Sequence, residues 1–227
     1  MDTQYKGSFG RKIRESLFLL DSETAFTNHG AFGSVPRPIF DRHLELLRQI
    51  ETNPDKWFRF KCKSLYLNAC EAVADFIGAS NDEVVLVENV SSAVCAILRS
   101  LNLGPKDRIL TTTVCFIGCK TAIEDACNRT GAQSCFLNIK LPISSKESVV
   151  RVFSDYLDEN PSVTFALVDH ISCTCTVVFP VEEIVRVCHQ KGVRVMIDGA
   201  HAPGQLRLDM KDIGADYYTG IYAYCMS

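Results

Sequence analysis

The chain has 227 residues, of which 47% are hydrophobic and 22% charged, and a formal net charge of −3. That composition excludes a disordered chain, and the scattered Lys and Arg give no basic field for nucleic acid. Residues 1–14 are polar and basic and the apolar run Leu17-Phe18-Leu19-Leu20 is short, so neither a signal peptide nor a membrane span is expected and the protein reads as cytoplasmic.

Leu44, Leu47 and Ile50, and then Leu65, Ala69, Ala72, Val73 and Phe76, recur at helical spacing and predict two amphipathic helices. Val84-Val85-Leu86-Val87 predicts a first short strand. Ser91 or Ser92 is placed to cap a helix through Leu101 that stops before Gly104-Pro105. A strand over 108–113, a helix over 120–128 closed by Gly131 and a strand over 133–138 follow. Next come a helix over 147–157, a strand over 163–168 apolar on both faces, a helix after Pro180 closed by Gly192, and a strand over 193–197 that delivers Asp198. Helices alternating with continuous β-branched runs predict an α/β fold: a mostly parallel sheet with helices on both faces. No repeat or linker interrupts it.

The eleven cysteines include no Cys-x-x-Cys pair and sit mainly in apolar patterns, so reduced thiols and no metal site are expected. Cys173-x-Cys175 leaves a redox or metal pair as the alternative.

The segment Asp198-Gly199-Ala200-His201 places a carboxylate and an imidazole at the carboxyl end of a strand, where open α/β sheets bind ligands. The competing readings are a turn-forming Asp and a surface His. Ser91 and Ser92 open a helix directly after a turn and suit a phosphate dianion, or a plain helix cap. Phe116 is either a ring-stacking residue or a core aromatic. Gly30-Ala31-Phe32-Gly33 is not a dinucleotide-binding turn, and no phosphate-binding G-x-x-x-x-G-K-[ST] loop occurs.

Five blocks then align in order with one family: Phe26-Thr27-Asn28-His29-Gly30-Ala31-Phe32-Gly33, Asn53-Pro54-Asp55-Lys56-Trp57-Phe58, Glu88-Asn89-Val90-Ser91-Ser92-Ala93, Asp169-His170-Ile171-Ser172 and Asp216-Tyr217-Tyr218-Thr219-Gly220. With the Asp198 segment, they resemble the class V branch of fold-type I pyridoxal-phosphate enzymes, in particular its isopenicillin-N-epimerase-like and cysteine-desulfhydrase-like members.

The resemblance implies pyridoxal 5'-phosphate as cofactor and an amino acid as substrate, with transamination, epimerisation or carbon–sulfur lysis as the reaction. It implies that Asp198 pairs with the pyridine nitrogen and that His201 lies beside the phenolic oxygen. Ser91, Ser92 and Thr219 would serve the phosphate, Phe116 would stack on the ring, His170 and Ser172 would lie near the cofactor, and Asn28, His29 and Gly30 would form a substrate-side loop.

Relatives continue past Thr-Gly into an Asn-Cys-His-Lys-like segment whose lysine anchors the cofactor. Here Tyr224 occupies the lysine position, Ala223 the histidine position, and the last lysine is Lys211. The expectation is therefore an N-terminal helical segment with the substrate-side loop (1–50), a partial large domain (51–227) and no small domain, as in a truncated gene model or splice variant. Such a chain would be catalytically deficient and would form a homo-oligomer. The alternative is a non-catalytic isoform that binds the cofactor weakly or pairs with a full-length subunit.

Overall fold

The structure, a computed structural model, describes residues 10–221. It divides into two compact units, one reaching Ala72 and the other spanning Val73–Ile221. The first is helical: α1 (Arg11–Leu17), α2 (His29–Phe32), α3 (Arg37–Thr52), α4 (Pro54–Lys56), a π-helical turn over Trp57–Lys61, and α5 (Cys62–Ile77), which runs past the division. Asn53 caps α4 by accepting from the Lys56 N–H at 2.9 Å, and Trp57 in the next turn is buried. Among the described residues no helix is long and apolar enough to cross a membrane.

The second unit is built on five parallel strands: β1 (Arg108–Thr112), β2 (Gln133–Leu137), β3 (Val163–Asp169), β4 (Arg194–Gly199) and β5 (Tyr217–Gly220), in the order β2-β1-β3-β4-β5. α6 (Val90–Ser100) precedes β1, and between successive strands run α7 (Ile117–Thr130), α8 (Lys146–Glu159), α9 (Val181–Gln190) and α10 (Met210–Ile213). β3 is buried on both faces, which is why its sequence is continuously apolar. Gly131 ends α7 at φ 80°, a left-handed conformation that costs glycine little.

The chain winds from β1 outward to β2, returns across β1 to β3, and then proceeds the other way. The winding direction therefore reverses between β1 and β3, the topological switch point of an open parallel sheet.

Register fixes which side chains share a face, since paired residues of parallel strands point the same way and neighbours alternate. Leu167, Met196 and Tyr217 form one row, and two residues further along Asp169, Asp198 and Thr219 form the next. Leu167 and Met196 belong to a buried cluster with Val90, Val94 and Leu98 of α6 and Cys119, Ile123 and Ala126 of α7. The face covered by α6 and α7 thus passes from an apolar row to a row of two carboxylates and a hydroxyl at the sheet's carboxyl end. On the other side α8 and α9 pack together, and α9 touches β4.

Two local expectations are corrected. Residues 84–87 form no strand among the described residues: Val84 is extended, and Val85 and Val87 are 71% and 53% exposed. Neither Ser91 nor Ser92 caps α6. Asn89 does, its side chain accepting from the Ser92 N–H at 2.8 Å, which leaves both serines in the exposed first turn. Asn ranks at least as high as Ser at this position, and it comes first in the chain.

Candidate functional site

Asp198 lies one residue before the end of β4 and is 4% exposed. Its Oδ1 accepts the Ala200 N–H at 2.9 Å and its Oδ2 accepts the Cys119 thiol of α7 at 3.2 Å. A carboxylate offers about four lone-pair positions, so half of its accepting capacity is unspent on these two bonds. The Cys119 thiol is held protonated by hydrogen bonding with Cys115, by burial and by the charge of Asp198.

Beside Asp198 in register stands Asp169, the last residue of β3 and 3% exposed. Burial first, and then the charge of Asp198, push its carboxyl up to about 7, partly offset by the Phe116 backbone N–H and by Lys120. The Lys120 ammonium donates to the Thr113 carbonyl at 2.7 Å.

The turn between β1 and α7 carries Phe116, 42% exposed at the N-cap of α7. A Cβ on Gly118 would come within 2.6 Å of the Phe116 ring, so glycine there lets the ring fold back over its own turn. Ser172 ties this turn to the loop after β3: its hydroxyl donates to the Val114 carbonyl at 2.8 Å and accepts from the Thr174 N–H. Its one proton is spent within the protein.

His170 donates its backbone N–H to the Asp198 carbonyl at 2.8 Å, while its ring Nδ1 meets the Tyr218 hydroxyl at 2.9 Å. The Tyr218 ring crosses Gly199 so closely that a Cβ there would lie 2.2 Å from the hydroxyl. By alternation that position is on the opposite face from the Asp198 carboxylate. Burial lowers the His170 imidazole to about 4, which keeps it neutral.

The segment from Asp216 to Thr219 is used residue by residue. Asp216 accepts from the Val195 N–H at 2.7 Å and pairs with His189 at 2.9 Å, Tyr217 packs against the core, and Thr219 donates to the Ile197 carbonyl at 3.3 Å.

The second unit therefore brings Asp198, Thr219, Ser172 and the backbone of His170 together at the sheet's carboxyl end, with Phe116 on the adjoining turn. Ser91 and Ser92 sit at the exposed start of α6, whose Val90 is buried in one cluster with Cys115 and Cys119. His201 is partly exposed just after β4, its carbonyl accepting from the Gln205 side chain. Asn28, His29 and Gly30 belong to the first unit, where Asn28 precedes α2 and the His29 ring meets Phe26 edge-on at 4.8 Å. Tyr224 lies outside the described residues. Among the described residues no three metal-capable side chains converge, and every described cysteine is a free thiol.

Sequence reasoning did not single out Asp169, Cys119 or Tyr218 as site residues. Asp169 had a visible signal, since it ends an apolar strand just as Asp198 does. Cys119 and Tyr218 had none, because their partners are 79 and 48 residues away.

The aminotransferase class-V family model matches residues 30–220. The chain belongs to the class V aminotransferase family. Similar members include L-cysteine desulfhydrase from Arabidopsis thaliana, 28% identical over 85% of this chain and 45% of its own length. A putative L-cysteine desulfhydrase 2 from Oryza sativa subsp. japonica is 30% identical over 92% of the chain and 46% of its own length. Isopenicillin N epimerase from Streptomyces clavuligerus is 26% identical over 89% and 50%. The chain thus spans about half the length of the curated class V relatives it matches.

Among solved structures, the cystine C-S lyase C-DES with its reaction product cysteine persulfide superposes at a TM-score of 0.80. It is 21% identical and covers 91% of this chain and 55% of its own. The Escherichia coli cysteine desulfurase CsdA superposes at 0.75, with 16% identity, over 94% and 54%. The class V fold is therefore shared across the second unit's sheet, and roughly half of each solved chain has a counterpart here.

Proposed function

We propose that this chain is the cofactor-holding part of a pyridoxal-phosphate-dependent class V enzyme acting on an amino acid by transamination, epimerisation or carbon–sulfur lysis. The observation that carries this reading is the Asp198 carboxylate, buried at the carboxyl end of β4 with accepting capacity left over. Such an acceptor suits a cationic ring N–H, because a buried carboxylate and a protonated pyridine nitrogen offset each other's desolvation.

The other candidates take consistent places. Ser91 and Ser92 lie in the exposed first turn of α6, where the two hydroxyls and the positive end of the helix favour a phosphate. Thr219 would support it from β5, and Phe116 would cover a face of the ring. His201 would hold a proton at the phenolic oxygen, and His170 and Ser172 would hold the strand ends and the Phe116 turn in place. The substrate-side role of Asn28, His29 and Gly30 and the division of the chain near residue 50 are part of the same reading. When bound, the cofactor supplies an electron sink for negative charge at the substrate carbon.

A second reading is favoured by the C-terminal sequence. Tyr224 stands where the family has its anchoring lysine, and a phenol can neither anchor an aldehyde nor move protons as an amine does. We infer that this polypeptide is catalytically deficient by itself, binds the cofactor without covalent attachment, and associates with itself or with a full-length subunit. Its cysteines suit a reducing cytoplasm.

The test is pyridoxal phosphate binding, followed by absorbance, in the parent chain, Asp198→Ala and the double variant Ser91→Ala/Ser92→Ala. Both variants should lose at least tenfold in affinity. Unchanged binding in both would place the site elsewhere.

A further inference from the structure

Asp169 is a buried group that the proposed function does not use. Its Oδ2 is fully buried and has no hydrogen-bond partner among the described residues, an expensive condition for a charged oxygen. It ends β3 at the point where the winding of the sheet reverses, and it shares a face and a register position with Asp198.

The groups facing it are few. Asp198 stands on β4, the Cys119 thiol of α7 donates to Asp198, and Lys120 of α7 spends a proton on the Thr113 carbonyl. The Phe116 N–H reaches it from the β1 side. Neither aspartate forms an ion pair with a cationic side chain among the described residues. Two buried carboxyls side by side in register, offset only in part by Lys120, do not both ionise cheaply.

We propose that Asp169 is a positioning residue of the site: it keeps a proton beside Asp198, so that the two carboxyls together present one negative charge to a ligand with a cationic N–H donor. The strand register, the burial of both groups and the unpartnered Oδ2 carry this assignment, and the upward shift of the Asp169 carboxyl agrees with it. The identity of the ligand rests on the pyridoxal phosphate reading above; the proton does not.

The first arm of the test uses no ligand. Asp169→Asn keeps the shape and removes the titration. A carboxyl with a folded value near 7 and an unfolded value near 3.8 stabilises the fold most at low pH, and this contribution is lost as pH rises through 7. In urea unfolding of the full chain from pH 5 to 8.5, the equilibrium should therefore move in favour of Asp169→Asn, relative to the parent, by about tenfold per pH unit up to about 7, and then level off. His170 titrates in both proteins and cancels in the ratio. In the Asp198→Asn background the break should move to lower pH, because the neighbouring charge is gone. Parallel curves for parent and Asp169→Asn overturn the inference.

The second arm follows pyridoxal phosphate binding at pH 6 and pH 8. Between them the parent should gain affinity several-fold relative to Asp169→Asn, as the second carboxyl ionises. An identical pH dependence overturns the link to the ligand. A parent chain that binds no pyridoxal phosphate at either pH overturns the cofactor reading, and the first arm still decides the proton.

Discussion

At the scale of single residues, charge state governs what this site can do. On the proposed reading the Tyr224 phenol takes the family's anchoring position and offers no amine there, so borohydride reduction of a mixture with pyridoxal phosphate should label no single lysine stoichiometrically. Peptide mapping checks this, and one fully modified lysine, such as Lys211, would refute it. His170 gives a pH prediction of opposite sign to that of Asp169. Its folded value near 4 lies below the unfolded 6.5, so the stability it contributes is present above 6.5 and is lost as pH falls toward 4. Relative to the parent, His170→Gln should gain about tenfold in folding equilibrium per pH unit over that window, read from urea midpoints. In the parent the His170 and Asp169 slopes largely cancel between about 4 and 6.5, which makes single-variant differences the informative measurement.

At the scale of elements, the ends of α6 and β4 are held by specific contacts. Asn89→Ala removes the acceptor for the Ser92 N–H and should cost about 1 kcal/mol and, on the proposed reading, weaken phosphate binding at the first turn of α6. Calorimetry gives the first quantity and phosphate or cofactor titration the second. Gly199→Ala places a methyl inside the Tyr218 ring, which spans β5 to the His170 loop. Overpacking of this kind costs about 1–3 kcal/mol, and the tyrosine must release His170. A fall in melting temperature together with an upward shift of the His170 imidazole titration in proton NMR would confirm the contact; an unperturbed imidazole would count against it.

At the scale of the molecule, the described surface invites association. Among the described residues β2 closes one side of the sheet order, and apolar side chains stand exposed at Val85, Val87 and Ile117 in the second unit and at Phe32, Phe58 and Phe60 in the first. Sheet edges and apolar patches favour partners. The isolated chain should therefore sediment as concentration-dependent oligomers or depend on a longer partner subunit. A monodisperse monomer that melts cooperatively would contradict this.

Much of this was legible in the sequence, because the signals were local. The continuous apolar runs of β3 and β4, the Gly131 stop and the helical spacings dictated a parallel α/β sheet, and Asp198 declared itself as a carboxylate closing an apolar strand. Residues 84–87 misled because a β-branched run is a local preference, whereas a strand also needs neighbouring strands that the run itself does not specify. The α6 cap was misread because three residues of capping type, Asn89, Ser91 and Ser92, compete within one turn. The Asp169–Asp198 pairing, the Cys119 thiol on Asp198 and the Tyr218 bridge over Gly199 were decided by tertiary structure alone. Each joins residues far apart in the chain, and only the register of neighbouring strands determines which side chains meet.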